Sequence, residues 1–193
     1  MAKEDKLEYY KTYYIDRSGL PIHESDVKAL TANCIPLVKT CCRLQVPKGF
    51  KFLDCTPDMS FNLSGLSCLK NPIVKKVQIP TCDGSHHKEC DVVAGYEIRV
   101  VGEVNFSTSV PVSPISGYSF PDHTSTCCSK TAYVNKAIST TCCAKPCNDT
   151  EDCVDWAFAF YNICLDEDDC GMYLTINMGI ALEYIDPCEC DDE

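Results

Sequence analysis

In the stretch MYLTINMGIALEY, Met172, Leu174, Ile176, Met178, Ile180, Leu182 and Tyr184 alternate without a miss against Tyr173, Thr175, Asn177, Gly179 and Glu183. Successive side chains of an extended chain leave opposite faces. A period of two therefore predicts a half-buried strand, because a helix would repeat its apolar residues every 3.6 positions. YEIRVVGEVNFSTSVPV obeys the same rule, with Tyr96, Ile98, Val100, Val104, Phe106, Val110 and Val112 on one side. Glu97, Arg99, Glu103, Asn105, Ser107 and Ser109 fall on the other, and Gly102 interrupts the run where a bulge or bend belongs. VDWAFAFYNI places Val154, Trp156, Phe158 and Phe160 on one face, and shorter candidates are IPLVKTCCRLQV, FKFLD, IVKKVQIP and TAYVNKAIST. About seven strands separated by Pro, Gly, Asp and Ser turns predict an all-β fold, an antiparallel sandwich or jelly roll with little helix.

The first 33 residues read differently and are expected to form an extended N-terminal arm. They combine charge, four early tyrosines (Tyr9, Tyr10, Tyr13, Tyr14) and the turn signals of DRSGLP, and they hold no cysteine. ESDVKALTA predicts a short helix with Ser25 as its N-cap. The expected organisation is an arm over 1–33, a disulfide-rich domain over 34–187 with a sub-boundary near 91, and a short acidic tail over 188–193.

Cysteine sets what such a domain is for. There are 17 among 193 residues, about 9 %, near the level of a cross-linked scaffold. A chain of this length buries a sufficient core without disulfides, so the sulfur serves durability or the joining of chains. The number is also odd, which leaves at least one thiol for another chain, a metal or solvent. Cys41–Cys42, Cys127–Cys128 and Cys142–Cys143 are adjacent pairs. In a strand one sulfur of each pair points inward, to tie strands of one subunit, and the other points outward, toward a loop, a ligand or another chain. The alternative is that both sulfurs of every pair bond within the chain. Cys188 and Cys190, two apart on the polar tail DPCECDDE, face the same way if extended and are the first candidates for links between subunits. Cys34, Cys41, Cys42, Cys127, Cys128, Cys142 and Cys143 are the others.

Charge is divided along the chain. The net charge is −11, and residues 151–193 hold thirteen Asp or Glu and no Lys or Arg, whereas residues 1–51 carry nine bases against six acids. Such a balance excludes nucleic acid as a natural partner and allows an acidic end to meet the basic end of a neighbour. No segment approaches 18 consecutive apolar residues, so no membrane-spanning helix is expected. MAKEDKLEYYKTYY lacks the apolar stretch of a secretory signal. Either a signal has been removed, or the chain is made in a cytosol and oxidised later, since disulfides persist in oxidising surroundings.

Metal and catalytic chemistry find little to stand on. No C-x-x-C occurs among the cysteines, although tight thiolate pairs underlie most structural zinc and iron–sulfur sites. In CDGSHHKEC, Cys82, His86, His87 and Cys90 have the residue types of a zinc site, but disulfide-forming cysteines on a polar loop explain them as well. Asp166, Glu167, Asp168 and Asp169 lie in a predicted turn and lack EF-hand spacing. His123 stands four residues before Cys127, but no motif supplies an oxyanion hole or a third orienting group. Neither an enzyme nor a cofactor is expected.

The segments GYEIRVVGEVNFSTSVPV, CVDWAFAFYNICL and CGMYLTINMGIALEYI, within roughly residues 75–185, resemble the strand pattern of the SPOCS domain. That domain belongs to spore-coat-associated proteins of Firmicutes, especially clostridia. The likeness is one of rhythm, an I-x-V-x-G-x-V strand (Ile98, Val100, Gly102, Val104) followed by alternating segments, and it brings no catalytic or binding motif. The cysteine load and the tyrosine-rich arm depart from that pattern and resemble cysteine-rich proteins of the spore exosporium and appendage fibres. The resemblance implies synthesis in the mother-cell cytosol and assembly on the spore surface or another extracellular layer. The expected function is thus a structural subunit that joins copies of itself head to tail through intermolecular disulfides, with other spore-surface proteins as further partners. The alternatives are a secreted disulfide-rich binding module and a thiol-rich metal binder.

Overall fold

The computed structural model describes residues 11–32, 35–53, 57–80, 87–115, 124–143, 153–168 and 171–185. The elements are β1 (Lys11–Asp16), α1 (Glu24–Thr31), β2 (Leu37–Gln45), β3 (Phe50–Phe52), β4 (Asp58–Asn62), β5 (Leu66–Pro80), β6 (His87–Pro114), β7 (Thr124–Thr141), β8 (Val154–Asp168) and β9 (Gly171–Tyr184). All strand pairs are antiparallel, and they form two sheets. Sheet A has the order β1-β8-β9-β2. Sheet B is built on β6. One edge of that strand pairs in succession with β5, β4 and β3, and its other edge pairs with β7 from Tyr96 to Val112.

The apolar faces of the two sheets meet to form an all-β sandwich. Ile98, Val100, Val104, Phe106, Val110 and Val112 of β6 are buried, as are Leu174, Ile176, Met178, Ile180 and Leu182 of β9. These are the residues that period-two alternation selects. Tertiary contact extends the buried set to Val38 and Leu44 on β2, Leu66 on β5, and Ala132 and Val134 on β7. At about 25 cal/mol for each Å2 removed from water, burying such a set is the main favourable term of the fold. Thr108, a buried polar residue on β6, donates from Oγ1 to the Asp58 carbonyl at 3.1 Å, which removes the cost of an unpaired hydroxyl.

β8 departs from the expected pattern. Its register against β9 shifts between Trp156 and Phe158, so Ala157 is an extra residue and side-chain parity reverses there. Val154 and Trp156 stay with the main core, together with Ala159 and Tyr161, while Phe158 and Phe160 turn to the outer face of sheet A. Four apolar residues expected on one face are therefore split between two. A second small core follows on that outer face, where Val27 of α1 packs with Phe158 and Ala181. Tyr14 meets Phe158 edge-on at 6.3 Å between ring centroids.

Within the span expected as an arm, β1 hydrogen-bonds along β8 from Lys11↔Ile163 to Asp16↔Phe158, and α1 covers the aromatics that the β8 bulge turns outward. The helix begins two residues earlier than its expected cap requires. His23, with extended dihedrals (φ −74°, ψ 144°), is the N-cap in place of Ser25. Its Nδ1 accepts from the Ser25 amide at 3.3 Å, one of the first-turn donors that lack an intrahelical partner. Residue 91, near the expected sub-boundary, lies inside β6.

Two glycines are required by close approach. Gly102 adopts φ +126°, and a Cβ there would lie 2.1 Å from the Gly65 carbonyl oxygen. No register shift occurs at this position. Of the expected bulge or bend, the bulge is absent, and Gly102 marks where β6 passes from β5 to β4 and the connecting turn presses against it. Gly179 makes room for the Phe160 ring, which a Cβ would approach to 2.5 Å.

The turn after β1 is held by charge. The Asp16 carboxylate accepts from the Ser18 amide at 2.8 Å, the Ser18 hydroxyl at 2.8 Å and the Leu20 amide at 2.9 Å. These bonds, that of Leu20 foremost, hold its pKa below the ordinary carboxylate value of 3.8. Arg17 pairs with Asp155 at 3.1 Å and Glu183 at 2.6 Å, fastening the same turn to β8 and β9.

Two outcomes follow. Gly102→Ala should destabilise the chain by at least about 2 kcal/mol, from left-side backbone strain plus the clash with Gly65, read as a lower midpoint in urea unfolding. Asp16 has a depressed folded pKa, so its contribution is complete above the unfolded carboxylate range and is lost as pH falls through the folded value. The protection factors of the Ser18 and Leu20 amides, measured against the intrinsic exchange rate at each pH, should fall on acidification below about pH 4, and Asp16→Asn should abolish most of that pH dependence.

Candidate assembly surface

The sulfur atoms divide as strand parity requires. Cys41 and Cys42 are neighbours on β2, opposite Asn177 and Ile176 of β9. Cys127 and Cys128 are neighbours on β7, opposite Ser109 and Thr108 of β6. Cys42 is fully buried and forms a disulfide with Cys128, with 6.2 Å between Cα atoms. Since β2 belongs to sheet A and β7 to sheet B, this bond crosses the sandwich. A second bond joins Cys68 of β5 to Cys153, the residue just before β8, and crosses it again. The bonds close loops with sequence separations of 86 and 85 residues, and in the chain-entropy account each such closure stabilises by about 4–5 kcal/mol.

Of the residues expected to link subunits, Cys42 and Cys128 are thus joined to each other. Their partners in the doublets, Cys41 and Cys127, are exposed thiols on the outer faces of the two sheets. The third doublet follows the last residue of β7, Thr141, so strand parity does not govern it. Cys142 is an exposed thiol, and Cys143 is half-buried with its amide donating to the Thr141 hydroxyl at 3.1 Å. Cys34, Cys188 and Cys190 lie outside the described residues, as do Cys82, His86, His123 and Asp169. His87 and Cys90 are three positions apart on β6, so their side chains leave opposite faces of the strand and do not converge on one ion. Among the described residues there is no group of three or more His, Cys, Asp or Glu side chains arranged to hold a metal.

The feature that alternation alone did not reveal is a projecting ribbon. β7 reaches along β6 only as far as Tyr96, whereas β5 and β6 remain paired to Pro80↔His87. Past the register shift at Ile73 and Val74, the two strands run on with exposed side chains, Cys90 alone being half-buried. Val74, Val77, Ile79, Val92 and Val93 are 41–53 % exposed. Residues opposite each other share a face in an antiparallel pair. One face therefore carries Lys75 and Val92, Val77 and Cys90, then Ile79 and Lys88. The other carries Val74 with Val93, Lys76 with Asp91 and Gln78 with Glu89, and there Lys76 pairs with Glu89 at 2.5 Å. The sequence signal for the strands was present in IVKKVQIP. What could not be read was that, among the described residues, no second layer covers them.

The outer face of sheet B is polar by comparison. Ser107 and Ser129 hydroxyls are 3.1 Å apart, and Thr131 donates to Asn105 Oδ1 at 2.6 Å. They line a shallow depression with Ser60 and Asn62, and these groups satisfy one another across the strands.

The fold and the bonds crossing it define a disulfide-bridged, antiparallel all-β sandwich. Compared with protein-family models, curated proteins and solved structures, the chain matches none.

Alkylation of the folded, unreduced chain followed by peptide mapping should label Cys41, Cys90, Cys127 and Cys142 and spare Cys42, Cys68, Cys128 and Cys153. Labelling of the second set at comparable rates would show that the cross-sheet bonds are absent in solution.

Proposed function

We propose that this chain is a structural subunit that self-assembles into a disulfide-cross-linked fibre or surface layer on bacterial spores. The observation that carries the proposal is the division of two doublets between an interior bond, Cys42 to Cys128, and two outward thiols, Cys41 and Cys127. Two cross-sheet bonds already supply stability on the scale of a whole domain, ordinarily about 5–15 kcal/mol. Further exposed sulfur adds little to one chain and much to a joined set of chains. The outward thiols sit on opposite sheets of the sandwich, so links through them run from one face of a subunit to the other face of the next. Contacts of this heterologous kind that do not close into a ring extend into filaments or layers. The polarised charge, with all excess acid in residues 151–193, favours ordered over random contact through complementary potentials.

The spore surface as the place of assembly is supported by the likeness of the β6, β8 and β9 segments to the SPOCS strand pattern and by the cysteine load. On this reading the subunit is made in the reducing mother-cell cytosol and its outward thiols are oxidised after docking or lysis.

The test is electrophoresis of assembled material in detergent, thiols blocked, with and without reductant, alongside electron microscopy of the oxidised protein. Ladders that collapse to 21.4 kDa on reduction, together with regular filaments or lattices, are expected. A single unreduced band of monomer, with every bridge mapped inside one chain, would overturn the proposal.

A further inference from the structure

The β5–β6 ribbon has two unlike faces. On one, the exposed Val74 and Val93 stand at the base, and beyond them Lys76 is neutralised by Glu89 beside Gln78 and Asp91. The other bears Val77, Ile79 and Val92 around the Cys90 thiol, bracketed by Lys75 and Lys88, with no acidic residue on that face among the described residues. Apolar residues on an uncovered strand pair are a liability unless something covers them. The occupant must satisfy apolar contact, positive charge and a thiol together.

We propose that this face is the docking surface for residues 186–193 of a second copy of the chain. That segment, DPCECDDE, has five acidic residues, no basic residue, and cysteines at 188 and 190. Its charge complements Lys75 and Lys88, and its two sulfurs bring the chemistry that Cys90 can use. The same chain's Cys188 does not serve. Ile185 is hydrogen-bonded at the Cys153 carbonyl, and Cys153 is bonded to Cys68. Val77, the cross-strand neighbour of Cys90, is nine positions along β5 from Cys68, about 30 Å of strand. Residues 186–188 span at most about 11 Å, so this sulfur falls short, and for Cys190 the isotope pairing in the experiment separates a link within one chain from a link between two.

Docking is followed by a covalent step driven by a small-molecule disulfide. The Cys90 thiolate attacks that disulfide and releases one small thiol. The thiolate of Cys188 or Cys190 from the second copy then attacks the Cys90 sulfur of the mixed disulfide and releases the other. One protein–protein disulfide forms, one small disulfide is reduced to two thiols, and the two protons lost by the cysteines are taken up by the departing thiolates. The inference rests on the reading that chains join one another, and it names where.

The experiment mixes full-length 15N-labelled and unlabelled chains, oxidises them with glutathione disulfide, and maps cross-linked peptides by mass spectrometry. A Cys90 peptide joined to a peptide containing Cys188 and Cys190, with one half labelled and one not, is expected. Cys90→Ser should remove this species. Lys75→Glu combined with Lys88→Glu should slow its formation by about tenfold at low salt, and added salt should slow the unaltered protein toward the same rate. The inference fails if the peptide pair is absent, if it carries only matched isotopes, or if charge reversal leaves its rate unchanged. Chains joined through Cys41 or Cys127 without this pair would sink the docking surface and leave the assembly function standing. Chains never joined at all would end both.

Discussion

Everything in this structure depends on the parity of the extended chain, which sends neighbouring side chains to opposite faces of a sheet. Parity builds the core, because β6 and β9 present unbroken apolar faces to each other. Parity also decides the fate of sulfur. Adjacent cysteines on β2 and β7 cannot both point inward, so Cys42 and Cys128 meet inside the sandwich while Cys41 and Cys127 stay outside. A doublet in a strand therefore sends one thiol into the sandwich and leaves the other on its surface.

The two described bonds have a common geometry. Each leaves sheet B, from β7 or β5, and enters sheet A, at β2 or just before β8. Hydrophobic burial already holds the sheets together, so the bonds act chiefly by limiting how far the unfolded chain can expand. The ribbon of β5 and β6 is the element that reaches beyond the sandwich.

Much of this was legible in the residues. The strands through Ile98 to Val112 and Leu174 to Leu182 were read with their buried faces, and the segments around β2, β3, β5 and β7 were recognised as strands. β4 escaped notice because DMSFN is too short for a convincing alternation, and β1 because its tyrosines sit in a charged, turn-rich stretch. Phe158 and Phe160 were assigned to the wrong face because the bulge at Ala157 inserts one residue, a change that alternation in isolation cannot register. Ser25 looked like the helix cap on residue preference, but His23 holds the extended dihedrals that a cap needs. Among the candidate linking residues, the doublet principle was available from the sequence, whereas the choice of Cys128 as the partner of Cys42 was not.

The amino-acid sequence by itself determined the fold class, the inward faces of the long strands and the split of each strand-borne doublet, since all three follow from local periodicity. Only the tertiary structure decided which sulfurs meet, that α1 and β1 close over Phe158, and that residues 74–80 and 87–94 stand clear of the sandwich. These depend on register and on the layer opposite, which bring together residues far apart in the chain. Local pattern states that a face is apolar; what covers it is settled by the rest of the molecule, or by the next one.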